Sequence, residues 1–368
     1  MSRTCLFFCF WTRGVLGLVA DLCVEVHDLA DVDVDCLGVA GASDARWPRL
    51  AAHHRQWWTA IAKGLKHPGF LITVRDAEQI VGLLPLMLVK GPIFGRFLVS
   101  LPYINTGGVW ASDPLAAERL VTRACELADE LDVRYLELRH EVPISHPQLN
   151  FENASKVHMR LALPVTDEQL DASFKSKLRS QVRKAGQSNH TVVFGGTELL
   201  DDFYDVFAVN MRDLGTPVFS RRLFAEVLGA FPGQTELCVV SGQGGPRAAA
   251  LLVHTDAGTE VPSASCLRSA NPTGANMWMY RHLLRRAIER GSETFDFGRS
   301  SVGSGTYKFK AQWGAVPHPA TWQYYVRKGS VEAMRPDAAG NQRLIRVWQK
   351  LPVWFTRLIG PSIVRGIP

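Results

Sequence analysis

"FDFGRSSVGSGTYKFKAQWGA" runs from Phe295 to Ala315. It opens as a strand: Phe295 and Phe297 alternate with Asp296, so one face is apolar and the other carries a carboxylate. It then breaks into glycine, serine and basic residues. Gly298 and Gly303 have the spacing of the two P-loop glycines, but Ser304 stands where that motif needs its lysine, and no Lys-Ser or Lys-Thr pair follows. The turn also lacks G-x-G-x-x-G, so the stretch does not read as a simple NTPase or dinucleotide site. Continued in extended form, the segment puts Lys308 and Lys310 on one face and Tyr307 and Phe309 on the other. A fixed ammonium at such a place suits the oxyanion formed when an amine attacks an ester or thioester carbonyl. Asp296 either caps backbone amides or takes a proton from the attacking amine.

Working outward, the flanking segments alternate helix and strand signals. Upstream, "ANMWMYRHLLRRAIERG" reads as a helix closed by Gly291. Before it come strands at "TELCVVSG", "RAAALLVHT" and "TEVPSASCLR", and helices at "ELLDDFYDVFAVNMRDLG" and "SRRLFAEVLGAF". "TVVFGG" is a strand, and "DEQLDASFKSKLRSQVRKAGQ" reads as one helix. Downstream, "TWQYYVRK" is a last strand. The first half alternates in the same way. A helix ends at Gly64, and strands follow at "GFLITVRD", "EQIVGLLPLMLVKG" and "FGRFLVSLPYINTGGVW". The helix "PLAAERLVTRACELADELD" and the strand "VRYLELRH" come next. The fold class is α+β, in two units of 24–163 and 164–330. A poorly structured or mis-assigned stretch 1–23 precedes them, and a basic amphipathic helical tail 331–368 follows.

The 368 residues suffice for two cores; hydrophobic residues make up 46% and charged residues 21%, a globular balance. Net charge is +6, which permits a phosphate-rich partner without requiring one. Seven cysteines, without a CxxC pair, read as free thiols in a reducing compartment. The 11 histidines show no metal-ligand spacing such as HExxH, so no metal is expected. The apolar run Cys5–Ala20 is interrupted by Arg13 and is too short to span a bilayer.

Two more stretches invite a ligand. In "FKSKLRSQVRKAGQSNH", Lys175, Arg179 and Arg183 form a basic stripe, with Lys184 beside it. This is either a solvated face or a clamp for phosphates of a nucleotide-linked substrate or a tRNA acceptor stem. "ANPTGANMWMYRHLL" puts a turn before a helix whose free N–H groups suit an anion, with Asn276 in the first turn. In the first half, "LPYINTGGVW" ends a strand with Tyr103, Asn105 and a Gly-Gly pair, as a cleft wall or a satisfied turn.

"LPYINTGG", "KSKLRSQVRKA" and "FDFGRSSVGSGTYKFKAQWGA" together resemble the FemAB/FemX family of aminoacyl-tRNA-dependent transferases within the GNAT superfamily. The likeness is greatest to the branch found with exosortase/PEP-CTERM systems and covers about residues 24–330. It implies two tandem GNAT-like acyltransferase domains with a cleft between them and a C-terminal helical tail. It implies acyl or aminoacyl transfer from an activated donor, acyl-CoA or aminoacyl-tRNA, with no tightly bound cofactor. The acceptor is an amine on a sugar or peptide precursor of the cell envelope or an exopolysaccharide. The other class of reading is a non-catalytic binding module of such an assembly system. The family's Phe-Lys pair falls on Phe309 and Lys310, making Lys310 the candidate oxyanion donor, with Asp296 and Tyr307 beside it. Tyr103, Asn105, Arg179, Arg183, Lys184, Asn276, Arg299, Lys308 and Phe309 are the candidate substrate-binding residues. No long helical insertion of the tRNA-docking kind is present. The expected location is the cytoplasm, and the tail suits a peripheral contact with the inner membrane.

Overall fold

The computed structural model describes residues 22–31, 51–91, 94–256, 258–331 and 342–368. The expectation for the N-terminal stretch concerns residues outside these, save Leu22 and Cys23.

One twisted sheet runs through the described molecule, and the same unit is built twice in it. In the first half, β1 (Cys23–Asp28), β2 (Gly69–Asp76), β3 (Gln79–Gly91) and β4 (Gly95–Val99) pair antiparallel in sequence order. Helix α1 (Arg55–Leu65) precedes β2, and the short β5 (Trp110–Ala111) adds to β3. Helix α2 (Pro114–Glu130) then carries the chain over to β6 (Tyr135–His140), parallel to β4. In the second half, β8 (Thr191–Gly195), β9 (Thr235–Gly242), β10 (Gly245–Thr255) and β11 (Gly258–Cys266) repeat the meander. Helices α5 (Leu200–Leu214) and α6 (Arg221–Ala230) fill the place of α1. Helix α7 (Ala275–Glu289) leads to β12 (Thr294–Ser301), parallel to β11.

Two strands join the units by exchange. β7 (Phe151–Ala162) follows β6 in the chain yet pairs with β12, and β13 (Val316–Val326) follows β12 yet pairs with β6. The two then pair with each other at the centre, giving the order β4-β6-β13-β7-β12-β11. β7 thus follows the strands of the first meander in the chain but completes the sheet of the second, and β13 follows those of the second but completes the first.

Alternation along the strands sorts side chains between two faces. In β9, Leu237 and Val239 face one core and Cys238 and Val240 another. Strands buried on both sides read as near-continuous apolar runs, as "AAALLVH" does. The first face holds one core common to both halves, where Trp57 and Ile61 of α1 meet Phe224 and Val227 of α6. The opposite face is divided, with α2 covering the first half and α7 the second.

Three sequence expectations are corrected. The single helix expected over 167–187 is two, α3 (Asp167–Ser173) and α4 (Ser176–Gly186), because Phe174 turns extended (φ −70°, ψ 135°) to bury its ring against Trp313. The segment after Ser304 is not extended. Ser304 Oγ accepts from Tyr307 N and caps helix α8 (Gly305–Gln312), so Lys308 and Lys310 do not share a face. β7 was not anticipated at all.

Candidate active site

The parallel pair β11 and β12 is in register at only two positions, Thr259 with Phe295 and Glu260 with Asp296. Beyond them both strands are irregular. β11 bulges against β10 at Val261–Pro262, where the proline has no N–H to give a ladder. β12 bulges against β7 at Phe297–Gly298, where Gly298 takes φ +75°, a conformation side chains resist. The two bulges face a cavity of about 30 Å³, room for about one water. Its wall is closed by Tyr103–Thr106 from the first half and His158 of β7. Tyr103, Asn105 and Asp296, which stand in widely separated stretches of the sequence, therefore line one cavity.

The first-half wall is held in place from beneath. Leu101 and Tyr103 both have positive φ, 59° and 78°, a strained conformation for such residues that its surroundings must enforce. Buried Arg139 does so. It pairs with Glu137 at 2.7 Å and donates to Ile104 O at 2.6 Å and Leu101 O at 3.3 Å. In the first half the equivalent gap between β4 and β6 is thus filled by its own guanidinium. Tyr103 Oη lies 2.9 Å from Ser263 Oγ across the two halves, and burial pushes this phenol well above its usual range. Trp322 Nε1 donates to Asn105 O at 3.2 Å, and the guanidinium groups of Arg139 and Arg299 lie 4.1 and 3.2 Å from the Trp322 ring centre.

Carboxylates dominate the second-half wall. Asp296 accepts from Gly298 N at 2.6 Å and from Arg160 Nε at 2.9 Å, and Arg160 also grips Glu141. Asp296 thus has the backbone-capping role allowed by the sequence, and it shapes the bulge. Glu260, its registered neighbour, is pushed up to about 8, first by desolvation and then by the charges of Asp296 and Glu141. His158 is buried with Nε2 unpartnered, and burial lowers its basicity.

Lys310 reaches the β12 bulge from α8, although it is not among the residues that line the cavity. Its buried ammonium donates to Gly298 O at 3.0 Å and Arg299 O at 3.2 Å, and burial brings it down to about 8. Two of three ammonium donors are so engaged, and both hold the β12 bulge. Tyr307 and Phe309 pack on the core under the same helix, while Lys308 is exposed.

The anion-binding candidates lie on two helices that pack together, α4 and α7. Gly274, at φ +70°, opens α7 so close to α4 that an added Cβ would lie 2.9 Å from Ala185 Cβ. Asn276 is half-buried in the first turn of α7, and Arg179, Arg183 and Lys184 of α4 lie toward solvent. Sequence reasoning missed Glu260, His158, Arg160 and Glu141. The signal for Glu260 was Pro262 inside a strand run, which marks a bulge; for His158 and Arg160 it lay in "HMRLA", whose polar residues only make sense once β7 is central. Among the described residues no group of three or more His, Cys, Asp or Glu side chains is placed to hold a metal.

Residues 172–311 match the profile described as Acetyltransferase (GNAT) domain. No curated protein sequence matches the chain. Among solved structures it is similar to FemX, with a TM-score of 0.55 and 14% identity over 82% of this chain and 99% of that one. It is similar to L-PGS from Bacillus licheniformis (TM-score 0.48, 14% identity, 76% and 86% covered). It is also similar to a tandem GNAT protein from the clavulanic acid biosynthesis pathway (TM-score 0.46, 12% identity, 83% and 99% covered). With the repeated meander–helix–parallel-strand unit, the profile match and the likeness to FemX support a tandem GNAT-like fold with a helical C-terminal segment, the second half holding the stretch that matches the acetyltransferase profile.

Proposed function

We propose that the protein is an N-acyltransferase that moves an acyl or aminoacyl group from acyl-CoA or aminoacyl-tRNA to an amine on a cell-envelope or exopolysaccharide precursor. The observation that carries this reading is the pair of facing bulges between β11 and β12 with Glu260 and Asp296 at their root. The donor lies along the splay, its phosphates toward the α7 N-terminus and the α4 cations. The acceptor reaches the carbonyl from the side of Tyr103 and Asn105. An acyl group is larger than the present cavity, so the loop Leu101–Gly107 shifts when substrates enter.

As the amine nitrogen bonds to the carbonyl carbon, its proton passes to Glu260. A carboxylate held near 8 suits a base working around neutrality. The developing oxyanion takes the third N–H of Lys310, and collapse expels the thiolate of CoA, or the ribose oxygen of tRNA as a hydroxyl that takes back the proton held by Glu260. Asp296 and Lys310 keep the bulge in shape throughout.

Mass spectrometry of the purified protein incubated with acyl-CoA, aminoacyl-tRNA and candidate amines tests this directly. A new amide in one donor–acceptor pair, lost in Glu260→Gln, is the expected result. Binding of ligands without any amide would return the protein to a non-catalytic module. Lys310→Met should lower kcat by about 10²–10³, the cost of one lost oxyanion donor; a change within about twofold removes Lys310 from the chemistry.

A further inference from the structure

Helices α9 (Gln342–Trp348) and α10 (Val353–Val364) close the described chain. α10 docks by Thr356, Gly360 and Val364, one buried face at i, i+4, i+8. Gly360 lets it approach closely: an added Cβ would lie 2.9 Å from Val218 Cγ1. Trp354 and Leu358 point the opposite way and are 68% and 69% exposed. A surface helix normally turns polar residues outward, but α10 is apolar on both faces, with Arg357 its one charge, paired to Asp205. In α9, Leu344 and Val347 are 68% and 60% exposed. Leu214 joins them from the end of α5, where Arg212 donates to Leu351 O at 3.1 Å and Gln349 to Asp213 O at 3.0 Å.

The charges around this face are of one sign. From Asn341 to Pro368 the charged side chains are all Lys or Arg, with no Asp or Glu. Arg343, Arg346 and Lys350 are exposed, and no ion pair involves them among the described residues. A second copy of the chain would bring the same cations against themselves. An anionic lipid surface complements them and accepts tryptophan at its headgroup level.

We propose that α9 and α10 form a peripheral docking face for an anionic membrane surface, with Trp354 and Leu358 entering the headgroup region and Arg343, Arg346 and Lys350 meeting lipid phosphates. No helix among the described residues is long and apolar enough to cross a membrane, so the contact is interfacial.

Sedimentation of the full chain with phosphatidylglycerol–phosphatidylcholine vesicles, and with phosphatidylcholine alone, tests the proposal. Binding is expected to the anionic vesicles and to fall at high salt. Two variants separate the contributions: Trp354→Ser with Leu358→Ser, and Arg343→Gln with Arg346→Gln and Lys350→Gln. All of these positions are exposed, so each variant should keep the wild-type melting temperature, and each should lose about tenfold or more in vesicle affinity. Undiminished binding by either variant overturns the proposal, as does equal binding to neutral vesicles. A concentration-dependent dimer in the absence of lipid, abolished by Trp354→Ser, would assign the face to a second copy instead.

Discussion

Arg160 carries more of the site than its place on an unremarked strand suggests. It is the cation between Asp296 and Glu141, both largely buried. Removing one partner of such a cluster leaves charge without compensation, which costs roughly 3–5 kcal/mol. Arg160→Ala should therefore lower the denaturation midpoint sharply, whereas adding Glu141→Gln to it should recover part of the loss. Equal stability of the single and double variants would mean that the cluster is solvated. Glu260 makes a separate prediction about pH. Its folded value, about 8, stands above the ordinary 4.5, because burial and the charges of Asp296 and Glu141 oppose its ionisation while Arg160 favours it. The unfolded chain therefore releases this proton first. The contribution to stability is complete below about 4.5 and is lost as pH rises through about 8. Chemical denaturation across that window should show wild-type stability falling more than that of Glu260→Gln; parallel curves would leave Glu260 ionised in the folded state.

At the scale of elements, α4 and α7 form one device. Gly274 lets α7 approach Ala185 of α4 closely, and Arg179 and Arg183 are exposed on α4, where in the proposed reading they meet the donor's phosphates. Replacing both arginines by Gln should raise KM for the donor with kcat nearly kept, and added salt should reproduce the loss in wild type. An unchanged KM at low ionic strength would make this helix a solvated face. Gly274→Ala should affect the same constant by prising α4 from α7, since its Cβ meets Ala185 and φ is +70°. Most elements of this device were legible in the sequence, because amphipathic helices and doubly buried strands announce themselves by period. The break at Phe174 was not, since burial of one ring against Trp313 overrides the local helical signal. Nor was α8, where a single serine cap outweighs an apparent strand alternation. β7 escaped because "FENASKVHMRLA" mixes polar and apolar residues without strict alternation. Its burial depends on partners far away in the chain. Of the residues that the sequence did not reveal, His158 and Arg160 sit on that strand.

For the whole molecule, the exchange of β7 and β13 is what makes two similar units into one. A chain divided at Pro164 should yield halves that are insoluble or aggregated when made separately and that recover solubility together. Two well-folded separate halves would show that the exchanged strands contribute little. The unit repeat was readable from the order of elements, but the exchange was not, because no local pattern tells a strand which sheet to complete. It also has a consequence for the chain as it is made. β6 finds its β13 partner some 180–190 residues later. At about 5–20 residues per second of synthesis, the emerging first half waits roughly 10–40 s with that edge unpaired. Bare edges recruit other strands, so the nascent first half is the form most in need of a chaperone, and slowed synthesis between β6 and β13 should cost yield even where the finished protein is stable.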